Sequence, residues 1–378
     1  MYFDSNANHP MLKCAEMGYL EGIKYNNISS TKDPKAMKYK DDLTSAILAE
    51  HGNNYDVIYT SGGSESNSTI IYQLLHEYIL TGKKPRVVCS TIEHASISYH
   101  LQQLEEQNII SVDWIKPDAH GIIHADSIQT KNISMIFLQS VNSETGAIQN
   151  IKSIYELAQR ENILFAVDNV QGFMKRVYPT NVGDYISISF HKVGGPIGFG
   201  ALLIKKDLHF YPMIGGKQNK SMRGGTYNIG AMVASLCAIK RFDYKKASEN
   251  GKYFWKQIKK KILVKEYNDL INGKVLPAGP YIIRFGEQTS LPHTAFFSMA
   301  RGHEIKCGTM IKNKLAKQGI IIATGSACNN ESATIIGSMN SSDIHDAVKK
   351  GFLRISFSEK NNKSEINKLI ESLFLVYN

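Results

Sequence analysis

Between about residues 40 and 240, short apolar runs rich in β-branched residues alternate with longer stretches in which apolar residues recur at helical spacing. Apolar strands separated by amphipathic helices are typical of βαβ crossovers, which cover both faces of a mainly parallel sheet with helices. The pattern therefore predicts an α/β fold built on a mostly parallel sheet. The predicted strands lie at 57–60, 86–90, 135–139, 163–167, 186–190 and 201–204.

The pattern changes after about residue 240. A chain of 378 residues is long enough for two domains, at roughly 100–200 residues each. We therefore expect a large α/β domain over residues 12–240 and a smaller α+β domain made of residues 1–11 and 241–378. The elements expected in the smaller domain are a lysine-rich helix at 245–265, strands at 281–284, 294–298, 320–323 and 352–357, and helices at 306–317 and 363–376.

Composition restricts the class of protein. Hydrophobic residues make up 43% of the chain and charged residues 21%, values that suit a soluble globular protein and exclude a collagen or a mostly disordered chain. The formal net charge of +10 favours anionic partners, such as phosphate-bearing cofactors, nucleic acids or acidic proteins, without choosing among them. The polar N-terminus and the absence of a long apolar run predict a cytoplasmic protein without a membrane span.

The chain has five cysteines, and their odd number argues against a disulfide framework. Because no CxxC pair or Cys/His cluster occurs, no metal site is predicted. Cys328 lies in the run ATGSACNN, which indicates an exposed, mobile loop at about 324–340 in the smaller domain. Such a thiol can act as a nucleophile where nearby charge favours the thiolate; the alternative is an incidental loop cysteine. Packing roles are expected for Cys14, Cys89, Cys237 and Cys307.

The run TSGGSESN, residues 60–67, follows a predicted strand and opens a predicted helix. Glycine lets the backbone approach a ligand closely, and a helix N-terminus presents unpaired N–H groups and a positive dipole end. Gly63 and Ser64 would therefore suit a phosphate group. The alternative is an ordinary serine-capped helix after a tight turn, and the run matches neither the P-loop nor the GxGxxG pattern.

Asp168 follows one apolar strand and Lys192 follows another, so both are expected at the carboxyl edge of the sheet, where α/β proteins bind ligands. A buried carboxylate needs a partner, such as a protonated ring nitrogen, and a desolvated lysine loses basicity and can form a Schiff base. The alternatives are a helix cap for Asp168 and a surface turn for Lys192. Together with a phosphate-binding turn, the two residues suggest pyridoxal phosphate (PLP).

Two further side chains are candidates for the same site. His94 lies at a strand-to-helix junction on the same side of the sheet, although a single histidine is more often structural. Arg354 interrupts the apolar run FLRISF, and a buried arginine needs an anionic partner. A substrate carboxylate would serve as that partner, and an internal salt bridge is the alternative.

These residues, in this order, resemble the NifS/IscS-like cysteine desulfurases, which belong to the class V aminotransferases among the fold-type I PLP enzymes. The resemblance extends over nearly the whole chain. It implies a PLP-dependent transferase fold with a mostly parallel, seven-stranded sheet in the large domain. The motifs that carry it are TSGGSESN, the EH pair ending at His94, SVNSETG, VDNVQ, SFHKVGGP, MRGGT and ATGSAC.

The resemblance implies a role for each matching residue. Lys192 would form the Schiff base with PLP, and His94 would stack on the cofactor ring and assist proton transfers. Cys328 would be the nucleophile, and Arg354 would bind the substrate carboxylate. Thr226 would reach the cofactor phosphate of a partner subunit.

Further implied contacts surround the cofactor. Asp168 would pair with the pyridine nitrogen and Gln171 would hydrogen-bond the phenolic oxygen. The family commonly has asparagine at the position of Ser143, beside the ring, and we expect Ser143 to substitute for it and the preceding Asn142 to contact the substrate. The phosphate would be bound by Gly63, Ser64, Ser189 and His191.

The implied activity is removal of sulfur from L-cysteine, giving L-alanine and a persulfide on Cys328. The persulfide would pass to an iron–sulfur scaffold, a tRNA-thiolation protein or another acceptor thiol, and a homodimer without direct DNA binding is expected. A selenocysteine lyase or small-amino-acid aminotransferase would share Lys192, Asp168 and His94 without needing Cys328. A non-catalytic PLP-fold partner or RNA-binding protein is the alternative of another class.

Overall fold

The structure is a computed structural model that describes residues 1–267, 269, 277–324 and 350–377. Seven strands form its first sheet: β1 (Tyr55–Thr60), β2 (Arg86–Ser90), β3 (Ser111–Ile115), β4 (Met135–Gln139), β5 (Leu164–Asp168), β6 (Tyr185–Ser189) and β7 (Gly200–Lys205). Their order is β1-β7-β6-β5-β4-β2-β3. Strand β7 is antiparallel to both neighbours, and the other pairs are parallel. The prediction of a mostly parallel, seven-stranded sheet is confirmed.

Helices pack on both faces of this sheet, as the apolar strands require. Val87 and Cys89 in β2 pack with helices on one face, whereas Val88 between them packs with a helix on the other. Successive side chains of a strand point to opposite faces, so a strand buried on both sides must be apolar throughout. The helices of this part of the chain are α1 (Lys13–Gly22), α2 (Ile28–Thr31), α3 (Pro34–His51), α4 (Gly63–Thr81), α5 (Ala95–Glu106), α6 (Ile151–Arg160) and α7 (Ile229–Arg241).

A second sheet follows in the chain, and its strands are β8 (Leu263–Glu266), β9 (Pro280–Arg284), β10 (Thr294–Arg301), β11 (Glu304–Ile305), β12 (Ala323–Thr324) and β13 (Leu353–Ser356). Their order is β12-β13-β10-β9-β8, with β11 paired to β10. Only β8 and β9 pair in parallel, and the other described pairs are antiparallel. Phe254, Phe297 and Leu373 belong to the core beneath this sheet. The helices of this part are α8 (Tyr244–Lys261), α9 (Gly308–Ala316) and α10 (Lys363–Tyr377).

The first twelve residues connect the two sheets. Tyr2 forms a bridge with Ile321, and Asp4 forms one with Ser356 of β13. The chain then crosses to the first sheet, where the N–H of His9 donates to the carbonyl of His191 at 3.0 Å. This N-terminal segment therefore runs from the second sheet to the carboxyl ends of the parallel strands.

Several element boundaries differ from the prediction, and two of the differences have a structural reason. The helix expected over 245–265 ends at Lys261, because Ile262 is extended and the apolar residues Ile262 and Val264 pack on the core of the second sheet as part of a strand. The strand expected at 320–323 begins later: Ile321 makes only an isolated bridge, and β12 starts at Ala323. Helices α1, α3 and α7 and strand β3 are elements that the sequence does not predict. None of the helices in the described ranges has both the length and the apolar character needed to cross a membrane.

Glycine allows close packing of α1 against α7. A Cβ added to Gly22 would meet the Cα of Gly230 at 2.6 Å and the carbonyl oxygen of Ile229 at 2.7 Å. Both obstacles are backbone atoms, so they cannot move aside as a flexible side chain would. The two helices therefore pack at a distance that only glycine permits at this position.

We expect Gly22→Ala to lower the free energy of unfolding by about 1–3 kcal/mol, because the helices must separate to admit a methyl group. Denaturant unfolding measures the change. Gly215→Ala is the matched control, since a Cβ there would meet no atom within 4 Å. Equal stability of the two variants would contradict this account of the helix pair.

Candidate active site

A cavity of about 280 Å³ opens at the carboxyl ends of the parallel strands, between the first sheet and the N-terminal segment. Its size is close to the lower end of the usual range for small-molecule sites. The loops that follow β2, β4, β5 and β6 meet here, as the topology of an α/β sheet requires. Ten of the predicted site residues line it: Gly63, Ser64, His94, Ser143, Asp168, Gln171, Ser189, His191, Lys192 and Arg354.

Lys192 lies in a single 3-10 turn directly after β6, with its amine at the cavity wall. Its Nζ donates to the carbonyl oxygens of Asn6 and Ala7, at 2.6 and 2.8 Å. Burial, reinforced by the Arg354 guanidinium, lowers the pKa of Lys192 to about 8. A buried amine close to neutrality is a stronger nucleophile and base at physiological pH than a surface lysine.

Asp168 ends β5, and its carboxylate forms part of the cavity wall. The side-chain amide of Asn67 donates to its Oδ2 at 2.9 Å, and the N–H of Val170 donates to its Oδ1 at 2.9 Å. These two donors hold the carboxylate in place with lone pairs still available. The residue is 93% buried, so a cation or N–H group in the cavity would find a strong acceptor here.

The N-terminus of α4 forms another part of the wall. Gly62 precedes the helix in a left-handed conformation (φ +150°), and a Cβ on Gly63 would meet the Cγ2 of Val170 at 2.6 Å. Both glycines are therefore required by the backbone path. The first N–H groups of a helix have no partner within the helix, and they favour an anion. Opposite them, the Ser189 hydroxyl and the Nδ1 of His191 are 2.7 Å apart.

Two histidines in the cavity differ in their surroundings. Burial and the adjacent Lys192 amine lower the pKa of His191 to about 4, so this ring is neutral at physiological pH. His94 is the N-cap of α5, and its Nδ1 accepts from the N–H of Ser96 at 3.2 Å. The His94 ring is exposed to the cavity, so its cap role and a contact with a bound group are compatible.

Arg354 makes an internal salt bridge with Asp4, the alternative that the sequence leaves open beside substrate binding. Its Nη2 donates to the Oδ1 of Asp4 at 2.6 Å, and its Nη1 donates to the carbonyl oxygen of Ser143 at 3.1 Å. Its Nε–H has no partner among the described residues. Arg354 also lines the cavity, while its Nε is buried.

Three predicted site residues lie elsewhere. Asn142 is buried next to the cavity, where its Oδ1 accepts from the N–H groups of Glu144 and Thr145, both at 2.9 Å. Thr226 is exposed and lines a separate cavity of about 190 Å³. Cys328 lies outside the described residues, as does the predicted loop beyond Thr324. The roles assigned to these residues stay predictions.

The structure adds two residues that sequence reasoning missed. Asn67 holds the Asp168 carboxylate, and it ends the TSGGSESN run that was already singled out. Asn6 accepts from the Lys192 amine through its backbone oxygen, which no sequence pattern could indicate. Both residues line the cavity.

The described cysteines are free. Cys89 is buried, as expected for a packing residue. The packing role predicted for Cys307 is wrong: this residue is exposed and precedes α9, which begins at Gly308, two residues later than its pattern suggested. In the part of the chain that the structure covers, no three His, Cys, Asp or Glu side chains form a group that could hold a metal ion.

A family model described as Aminotransferase class-V matches residues 36–369 of the chain. The chain belongs to the class V aminotransferase family. A family match over so much of the length includes both sheets and every described residue of the cavity wall except the N-terminal segment. The predicted class V membership is therefore confirmed.

The relatives of this class V member carry related descriptions. It is 31% identical to a "NifS/IcsS protein homolog" of Lactobacillus delbrueckii subsp. bulgaricus, over 86% of this chain and 83% of that protein. It is 29% identical to a "Cysteine desulfurase" of Cereibacter sphaeroides (84% and 79%) and 27% identical to a "Cysteine desulfurase IscS" of Dictyoglomus turgidum (84% and 78%). The predicted resemblance to NifS/IscS-like proteins is confirmed.

Solved structures share the fold. A NifS-like protein from Rickettsia africae superposes with a TM-score of 0.79 at 22% identity, covering 100% of this chain and 99% of that one. A structure described as SspA in complex with cysteine superposes with a TM-score of 0.74 at 23% identity, covering 96% and 99%. The predicted fold class is therefore confirmed.

In this class V member, Lys192 should react with acetic anhydride with a midpoint near pH 8, because only the neutral amine reacts and burial lowers its pKa to about 8. Trace acetylation of protein stripped of bound small molecules, followed by mass spectrometry of the Lys192 peptide, measures the midpoint. In the unfolded chain the midpoint should rise toward the ordinary lysine value of about 10.4. Identical midpoints in the two states would contradict the electrostatics described for this cavity.

Proposed function

We propose that this chain is a PLP-dependent cysteine desulfurase, which converts L-cysteine to L-alanine and leaves the sulfur as a persulfide on Cys328. The observation that carries the proposal is the meeting of Lys192 and Asp168 in one cavity at the strand ends of a class V family member. The names of the relatives support the substrate, since proteins of 27–29% identity are described as cysteine desulfurases.

The residues present fit pyridoxal phosphate. Gly63 and Ser64 at the N-terminus of α4 suit its phosphate, and the Asp168 carboxylate suits a protonated ring nitrogen. Lys192 is the amine to which the aldehyde would be attached, because it lies half-buried at the cavity wall and its pKa is about 8. When bound, the cofactor supplies a sink for the electrons released as bonds at the substrate's α-carbon break.

The chain's own groups then have distinct tasks. Once released from the cofactor, Lys192 Nζ takes the proton from the α-carbon and returns it during the reaction, as an amine with a pKa of about 8 can do. Arg354 lines the cavity and binds the substrate carboxylate, while Asp4 continues to hold its Nη2. Because the His191 ring is neutral, it does not place a further positive charge beside Lys192.

Sulfur leaves the substrate by attack of the Cys328 thiolate. A bond forms between the two sulfur atoms, the bond between the substrate sulfur and its β-carbon breaks, and the electron pair of that bond remains with the carbon fragment that becomes alanine. An acceptor thiol then attacks the persulfide and takes its outer sulfur. The acceptor would be an iron–sulfur scaffold or a tRNA-thiolation protein, and one relative carries the name IscS.

A homodimer is part of the proposal. Thr226 is exposed and stays away from the cavity of its own chain, which suits a residue that completes the phosphate site of a partner subunit. A cytoplasmic location without DNA or membrane binding is proposed for the assembly. Sedimentation of the purified protein distinguishes dimer from monomer.

We expect Cys328→Ala to stay yellow after PLP is added but to lose at least about 99% of its alanine production from L-cysteine, because the nucleophile is gone while the cofactor site is intact. Alanine and sulfide are measured with a reductant present. Cys307→Ala is the matched control, since Cys307 is exposed and lies outside the cavity, and it should keep wild-type activity.

The other outcomes separate the alternatives. Equal alanine production by Cys328→Ala and wild type would indicate a selenocysteine lyase or another class V activity that needs no protein thiol. Yellow protein with no turnover of small amino acids would indicate a partner protein with a retained cofactor. Protein that stays colourless with PLP would reject the cofactor and the proposed function together.

A further inference from the structure

A second lysine, Lys175, is buried behind the cavity and has no task in the reaction described above. It is 3% exposed and lies in the tight turn that follows β5 and contains Gln171. Its neighbours Met174 and Arg176 both have left-handed backbones, with φ of 60° and 58°. Non-glycine residues adopt this conformation when the surrounding structure imposes it, and such residues cluster at functional sites. The turn is therefore strained on both sides of the lysine that it buries.

Hydrogen bonds connect Lys175 to Lys192. The Nζ of Lys175 donates to the Oε1 of Gln171 at 3.2 Å. The Nε2 of Gln171 donates to the carbonyl oxygen of Asn6 at 2.7 Å, and the Nζ of Lys192 donates to the same oxygen at 2.6 Å. The carbonyl oxygen of Asn6 therefore accepts hydrogen bonds both from the Lys192 amine and from the Gln171 side chain that Lys175 orients.

Asn6 is itself held on several sides. Its Nδ2 donates to the carbonyl oxygen of Ser143 at 3.2 Å and to the Oγ1 of Thr294 at 3.0 Å. Its Oδ1 must then accept from the Nε2 of His293, at 3.0 Å, which assigns the proton of this neutral ring to Nε2. The side chain of Asn6 thus fixes the position of the Asn6 backbone carbonyl oxygen independently of its contact with Lys192.

Lys175 and Lys192 also line one small internal cavity with His9 and His293. Its volume of about 10 Å³ is close to that of a single water site, and the Nδ1 of His293 is buried without a partner among the described residues. No carboxylate lies within ion-pair distance of Lys175 in the described ranges. The titratable groups around the two lysines are His9 with its partner Glu359, His191, His293, Asp168, Arg354 and Asp4.

We propose that Lys175 is a positioning residue for Lys192, which fixes the Asn6 carbonyl through its hydrogen bond to Gln171. The inference rests on the proposed function of Lys192. Burial and the charge of Lys192 lower the pKa of Lys175 to about 7, so Lys175 loses its proton before Lys192, whose pKa is about 8. Lys175 therefore acts on Lys192 through its hydrogen bond to Gln171 rather than through its charge.

The test is the pH profile of Lys192 acetylation in cofactor-free full-length Lys175→Met. Methionine keeps the apolar stem and removes the charge and the donor. The midpoint should rise by roughly 0.5–1 pH unit, because Gln171 is no longer held and the Asn6 carbonyl oxygen becomes freer to accept from a protonated Lys192. Lys206→Met is the control, because the side chain of Lys206 is exposed and its Nζ donates to the carbonyl oxygen of Asn53, away from the cavity. This change should leave the midpoint of Lys192 unchanged.

A double-variant comparison tests the route through Gln171. Gln171→Leu interrupts the same connection from the other side, so its midpoint should also rise, and the shift of the double variant should be smaller than the sum of the two single shifts. An unchanged midpoint in folded Lys175→Met would overturn the proposal. If Lys175→Met does not fold, an unchanged midpoint in Gln171→Leu overturns the route.

The outcome is independent of the cofactor. Acetylation of Lys192 is read in protein without PLP, so it reports on Lys175 even if the proposed function fails. Wild-type protein that does not turn yellow with PLP would reject that function. If the wild type turns yellow with PLP and the acetylation midpoint of Lys192 is the same in Lys175→Met, the proposed function stands and only the positioning role is rejected.

Discussion

The amine of Lys192 is held by two backbone oxygens that belong to the N-terminal segment, and much of the site depends on this contact. The carbonyls of Asn6 and Ala7 accept from Nζ at 2.6 and 2.8 Å. The same segment forms bridges with Ile321 and Ser356 in the second sheet. Because peptide carbonyls are neutral, they orient the amine without the full charge that would make it permanently an ammonium ion. A buried lysine with a carboxylate partner would instead stay charged.

Each of the two cations at the cavity wall, Lys192 and Arg354, lies near a carboxylate. Asp4 and Asp168 raise the pKa of Lys192, while burial and Arg354 lower it, and the balance is about 8. Arg354 has its own carboxylate in Asp4. The site can therefore be buried without the cost of isolated charges, and it keeps donors available for an anionic ligand.

The sequence predicted the first sheet well, because its strands are apolar on both faces and its helices begin at recognisable turns. Strands β2 and β4 lie at the residues expected, and His94 caps α5 where a junction was expected. The second part was harder: Ile262 to Glu266 reads as a continuation of a lysine-rich helix until pairing with β9 is known. The partners of Asn6 could not be predicted, since a backbone carbonyl has the same chemistry at every residue.

Arg354 and Lys192 depend on one short stretch of chain, and this links the two ends of the site. Asp4 pairs with the guanidinium, and two residues later the Asn6 oxygen accepts from the amine. Only a few backbone dihedrals separate the two contacts, so a displacement of Asp4 would reach the Asn6 oxygen with little loss. The hydrogen bonds that Asn6 donates to Ser143 and Thr294 and accepts from His293 oppose such a displacement. The amine of Lys192 is therefore held even when the arginine gains a second partner.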